Sequence, residues 1–139
     1  MEQEIIKTSN FKDSIYATGK RKKSIAKVWL KKGTGKIYVN GKNYNEYFTR
    51  ANHQMKLLRP LEIIEQATTF DVKCNVKGGG LTGQVGAMVH GISKALIQID
   101  ANFKPTLKKE KLSTRDSRAV ERKKYGHRKA RRSFQFSKR

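Results

Sequence analysis

Two stretches of the chain alternate apolar and polar side chains with period two, the mark of strands with one buried face. In "SIAKVWLKK", residues 24–32, Ala26, Val28 and Leu30 fall on one face and Lys27, Trp29 and Lys31 on the other. In "FDVKCNVK", residues 70–77, Phe70, Val72, Cys74 and Val76 oppose Asp71, Lys73, Asn75 and Lys77. "GKIYVNG" repeats the pattern with Ile37 and Val39 set against Lys36, Tyr38 and Asn40. "SIYATG" reads as a short strand ended by Gly19. The intervening "KGTG", residues 32–35, suits a hairpin loop, so the strands on either side of it are expected to pair antiparallel.

Helical spacing takes over elsewhere. "YNEYFTRANHQMKLLRPLEIIEQ" has a helical pattern that Pro60 is expected to divide, with the proline opening a second short helix. After "GGG", the residues Leu81, Val85, Met88, Val89, Ile92, Leu96 and Ile99 recur on one helical face. Gly83, Gly86 and Gly91 each weaken that helix by roughly 1 kcal/mol relative to alanine, and close backbone packing is the expected return. The segment that follows, "ANFKPTLKKEKL", does not read as a strand. The pattern as a whole predicts an α+β, two-layer domain, with one sheet covered by helices on one face.

The periodicity fades after Pro105. Beyond Leu112 only scattered Ala119, Val120, Tyr125, Phe134 and Phe136 interrupt a polar run. A globular body over residues 14–106 and an extended basic tail over 107–139 are therefore expected, after a flexible N-terminal extension over 1–13. Charge divides at the same place. The chain of 139 residues carries 32 Lys and Arg against 11 Asp and Glu, a net +21. Residues 1–106 hold a net +10 and residues 107–139 a net +11, so a quarter of the chain has half the charge. Such crowding repels itself and favours a polyanionic partner.

Several function classes drop out. One cysteine, Cys74, allows no internal disulfide and no cysteine-rich zinc site, and its inward position makes it a core residue rather than a nucleophile. His53, His90 and His127 have no metal-ligand spacing, so no metal and no catalytic residue is expected. There is no apolar run long enough to span a membrane, and the first residues lack the apolar core of a targeting peptide. The tail has no amphipathic apolar stripe for a membrane surface.

Three motifs remain. Gly78, Gly80 and Gly83 satisfy G-x-G-x-x-G between a predicted strand and a predicted helix. The acidic residue that should end a second strand is Asp100, which falls at the end of the helix, so a dinucleotide cofactor is not expected. A tight turn is the simplest reading, and Gly78, Gly79 and Gly80 at a helix start can also form an anion nest for a phosphate. Lys20, Arg21, Lys22 and Lys23 form a basic run between two strands, read as phosphate-contacting rather than merely solvated. The tail interleaves Arg and Lys with Tyr125, Phe134 and Phe136, a mixture suited to phosphates and unpaired bases.

"ATGKRKKSIAKVWLKKGTGKIYVNG", "VKGGGLTGQVGAMVHGISKAL", "STRDSRAVERKKYG" and the terminal "QFSKR" together resemble the ribosomal protein S9 family of the small subunit, from about Ser14 to Arg139. The resemblance implies a ribosomal protein S5 domain 2-like body with a mixed sheet, no enzymatic activity, no cofactor and no small-molecule substrate. It implies a place in the head of the small subunit, on the 3′ major domain of 16S-type rRNA and beside neighbouring head proteins. The setting would be the cytoplasm, or an organelle if the chain is organelle-encoded. Carried onto this chain, rRNA contacts fall to Lys20, Arg21, Lys22 and Lys23 on the body. On the tail they fall to Arg115, Arg118, Arg122, Lys123 and Lys124, then Arg128, Lys129, Arg131 and Arg132. Contact with the anticodon stem-loop of P-site tRNA falls to Ser137, Lys138 and Arg139. Phe134 stands where family members often have proline, which leaves the tail without that stiffening. The alternative is a non-ribosomal RNA- or DNA-binding basic protein.

Overall fold

The computed structural model describes residues 13–66 and 68–136. The expected extension over 1–13 lies outside them except for Asp13, and Ser137, Lys138 and Arg139 lie outside them altogether. Strands β1 (Ile15–Arg21), β2 (Ser24–Lys32), β3 (Ile37–Val39), β4 (Lys42–Asn43) and β5 (Phe70–Lys77) form one sheet in the order β1-β2-β5-β3-β4. β1 with β2, β2 with β5 and β3 with β4 are antiparallel, while β3 with β5 is parallel, so the sheet is mixed. Helices α1 (Tyr44–Tyr47), α2 (Ala51–Ile63), α3 (Leu81–Ile99) and α4 (Phe103–Lys109) complete the domain. The long helix α3 lies across β1 and β2, with α2 and α4 packed against it. This is the two-layer α+β arrangement that the periodicity predicts.

Alternation decides which face of the sheet is covered. Ala26, Val28 and Leu30 of β2 and Val72, Cys74 and Val76 of β5 are buried, with Met88, Ile92 and Leu96 of α3 above them. Each fully buried Leu, Ile or Met contributes roughly 1.5–3 kcal/mol relative to an exposed one. Burial pushes the Cys74 thiol far above its ordinary pKa, as suits a neutral core residue.

Four details differ from the sequence expectations. β1 does not end at Gly19 but runs through it to Arg21, and Gly19 is buried. A Cβ there would collide with the Ala87 carbonyl oxygen and the Gly91 amide nitrogen of α3, and one at Gly91 would lie 2.7 Å from Val28 Cγ2. Gly91 of α3 thus meets the Gly19 backbone of the sheet, while Gly83 and Gly86 leave room for the Ser24 and Arg21 side chains, which is the close packing expected in return for their helix cost.

The strands flanking "KGTG" are not paired, because β5 lies between them. Asp71 at the start of β5 draws the loop across: its Oδ1 accepts the backbone N–H groups of Thr34, Gly35 and Lys36 at 2.9–3.0 Å. One carboxylate with three donors outweighs a local hairpin.

Pro60 does not divide the helix; it sits buried inside α2, three residues from the end. The break falls earlier, at Phe48–Arg50. There the Phe48 ring is drawn fully into the core, and its carbonyl accepts Gln54 Nε2 at 2.7 Å. Finally, residues 103–109 form α4, and Leu107 is fully buried, so the core reaches past the expected body limit at 106.

Candidate nucleic-acid interface

The basic run is built onto a tight turn. Arg21 pairs with Ser24 across β1 and β2, leaving Lys22 and Lys23 as a two-residue hairpin tip. Lys22 adopts φ 53°, a left-handed conformation that costs a non-glycine residue roughly 1–2 kcal/mol. Both tip lysines are exposed.

The glycine turn sits directly beside this tip. Gly78 and Gly79 have φ of 80° and 60°, and a Cβ on Gly78 would lie 2.6 Å from the Lys23 carbonyl oxygen. Ser24 joins the two turns: its buried Oγ donates to the Gly78 carbonyl at 2.9 Å. Gln84 of α3 donates to the same carbonyl at 3.2 Å and is itself held by the Tyr47 hydroxyl at 2.8 Å. Gly80 precedes α3 as its N-cap with no side-chain cap, so the amides of the first turn have no side-chain oxygen as partner there. No strand follows α3 among the described residues, so the G-x-G-x-x-G run is not set in a βαβ unit. Gly83 instead packs α3 onto Ser24.

The tail closes a groove over these turns. Lys22, Lys23, Gly79 and Gly80 on one side and Ala119, Val120, Glu121 and Arg122 on the other enclose about 730 Å³. Lys22 and Lys23 of the predicted basic run, Gly79 and Gly80 of the predicted glycine nest and the predicted tail residue Arg122 thus meet at one place.

Ion pairs direct the tail there. Arg21 does not project into solvent with Lys22 and Lys23. Its side chain is 21% exposed, crosses Gly86 of α3 and reaches Asp116 at 3.5 Å. Arg118 also grips Asp116, with Nη2 to Oδ2 at 2.8 Å and Nε to Oδ1 at 3.0 Å. The side-chain and backbone hydrogen bonds of Arg118 hold the Asp116 carboxyl well below the usual carboxylate range, with Arg21 adding to the effect. Further on, Glu121 pairs with Arg131 at 2.9 Å and Lys124 at 3.7 Å. The sequence gives no hint of these clasps, because isolated acids in a basic run carry no spacing signal.

The tail is also less extended than its composition predicts. Arg128 N–H donates to the Arg132 carbonyl at 2.8 Å, and His127 bridges to Ser133, closing a small loop. The Arg128 guanidinium lies 5.5 Å from the centre of the Phe134 ring, so Phe134 holds the loop by a cation–π contact. Tyr125 and Phe136 are 95% and 87% exposed. Arg115, Arg122, Lys123, Lys129 and Arg132 are exposed as well, and Lys124 is half-buried. Lys20 points to the opposite face of β1, and its N–H approaches His90 Nδ1 at 3.5 Å.

Comparison with known families decides what this basic groove belongs to. The sequence pattern of ribosomal protein S9/S16 matches residues 19–139, from the middle of β1 through the whole tail.

The chain belongs to the ribosomal protein S9/S16 family.

Membership makes it a ribonucleoprotein component of the small ribosomal subunit that acts in translation and binds rRNA. The S9/S16 match includes the hairpin tip, the glycine turn and the clasped tail. Among the described residues no group of three or more His, Cys, Asp or Glu could hold a metal ion, and no helix is long and apolar enough to cross a membrane.

Proposed function

We propose that this S9-family protein is a non-catalytic scaffold for the 3′ major domain of 16S-type rRNA, and that its tail reaches the anticodon stem-loop of P-site tRNA. The observation that carries the reading is the shared groove, where Lys22, Lys23 and Arg122 surround the backbone of the glycine turn. Exposed cations beside a helix start that has no side-chain cap suit a phosphate oxygen. The tail then supplies Arg128, Lys129, Arg131 and Arg132 as further phosphate contacts. Its ion pairs to Asp116 and Glu121 are surface pairs, weakened by water and salt, so RNA phosphates can replace them. Tyr125 and Phe136 offer exposed rings to unpaired bases. Ser137, Lys138 and Arg139 end the chain as the tRNA contact, and neighbouring head proteins pack beside the body.

Deleting Lys138 and Arg139 tests the tRNA arm. Particles should assemble with normal protein content and bind P-site tRNA more weakly, by up to about 3 kcal/mol for charge-assisted bonds. The measurement is tRNA affinity for purified small subunits at one salt and magnesium concentration. Unchanged affinity with the shortened protein present would remove the tRNA role and leave the rRNA role standing.

A further inference from the structure

The strand register assembles a surface that the sequence scatters. The helices cover one face of the sheet; the other is open among the described residues. On that open face Tyr16, Trp29, Lys73 and Tyr38 stand side by side, one from each of four adjacent strands. The Tyr16 and Trp29 rings are 5.3 Å apart, and the Lys73 ammonium lies 5.8 Å from the Trp29 ring. Tyr16 remains 46% exposed.

The next rows are basic. Lys27 is opposite Asn75, and Lys77 is opposite Ile25. Lys77, Lys27, Lys73 and Lys31 therefore zigzag down the β2–β5 pair as diagonal neighbours, roughly 7–8 Å apart. Lys20 extends the row beyond Ile25. Beside the lysines, Ile25, Lys27, Asn40, Asn75, Val76 and Lys77 line a hollow of about 340 Å³. The lysine row sits next to a tilted aromatic pair, Tyr16 and Trp29, that no helix covers.

We propose that this open face is a second RNA surface, separate from the tail and its groove, and that it takes an unpaired strand. Lysines spaced along the β2–β5 pair follow the phosphates, and the Tyr16–Trp29 platform stacks a base. Aromatic rings on a sheet suit splayed bases, and flanking lysines suit the backbone. A duplex keeps its bases stacked inside and would meet only the lysines. The proposal rests on the reading of the chain as an RNA-binding protein, and it adds the class of RNA and the place.

Trp29 is the sole tryptophan of the chain, so its emission reports on this face and not on the tail. The full-length protein is titrated with end-labelled unpaired RNA of about eight nucleotides, and anisotropy of the label and Trp29 emission are followed together. Unpaired RNA should quench Trp29, whereas blunt duplex RNA and polyphosphate of equal charge should not. Tyr16→Ala combined with Lys27→Gln and Lys77→Gln should weaken the Trp29-detected binding on the order of tenfold, with circular dichroism unchanged. Tyr16→Phe, which keeps the ring, should retain it. Bound RNA with unaltered Trp29 emission would overturn the proposal while leaving tail binding intact. A photocrosslink from this face to a protein in the assembled subunit, and not to rRNA, would overturn it in favour of a protein contact. Absence of any anisotropy change would overturn the RNA reading as a whole.

Discussion

Body and tail are held together by different forces. In the body, Leu57, Leu61, Met88, Ile92 and Leu96 are fully buried, and helix and sheet touch backbone to backbone at Gly19 and Gly91. Between Ser117 and Phe136 none of the residues is fully buried; the fixed points there include Arg118 with Asp116, Glu121 with Arg131 and Lys124, the Arg128–Arg132 backbone bond, and Arg128 with Phe134. Burial is not weakened by screening, whereas exposed ion pairs are screened by salt and exchange with other anions. The body is thus fixed before any partner arrives, and the tail is fixed only until a stronger polyanion competes.

The sharpest way to break this contrast is to disturb each region and compare. Leu96→Ala should lower the stability of the body by about 2–5 kcal/mol in urea unfolding, through lost burial and the cavity left behind. Cutting the chain after Gly126 should change the same unfolding free energy by less than about 0.5 kcal/mol, because the removed residues described are exposed or partly so. Equal losses from the two changes would dissolve the division.

Asp116 probes the joint between the regions. Its folded pKa lies below its unfolded value of about 3.9, so the clasp is fully present above that pH and is lost as pH falls through the folded pKa. Asp116→Asn should imitate that acid release at neutral pH. Amide exchange across residues 114–119 should quicken, and the urea midpoint of the body should hold. High salt should produce part of the same quickening in the parent protein.

The smallest effect belongs to His90. Burial holds its pKa below the usual histidine value, with Lys94 and Arg115 adding to the depression. The unfolded chain therefore takes up that proton first, and stability declines as pH falls below about 6.5. His90→Gln should flatten this decline between neutral and mildly acidic pH, as read from thermal unfolding at matched ionic strength. A decline of the same slope in the variant would remove His90 as its source.

The elements legible in the sequence were those whose signal is local. The alternation in Ser24–Lys32 and Phe70–Lys77 and the face of Leu81–Ile99 give their strands and helix without reference to anything else. The neighbour of β3 was not legible, because the deciding bond comes from Asp71, far along the chain. β4 has two residues, too few for a period. α4 hides behind Pro105 and a lysine run, although Leu107 anchors it in the core. For the candidate interface, the basic run and the glycine turn were plain as separate motifs. Their adjacency through Ser24, and the inward turn of Arg21 toward Asp116, depend on the folded register. So does the stripe of lysines on the open face.

The contact between Gly19 and Gly91 ties the fates of two distant codons. A side chain larger than hydrogen at Gly19 must push α3 off the sheet, because the first atoms it meets are backbone, which cannot rotate aside; one at Gly91 meets Val28 Cγ2 first and the Gly19 amide nitrogen next. Neither site can drift alone, and no compensating change at the other can help, since both are already at the smallest residue. A lineage that enlarges one must re-seat the whole helix, carrying Gln84 and the glycine turn with it. The pair acts as a ratchet on divergence: this crossing point holds the turn and its groove in one place.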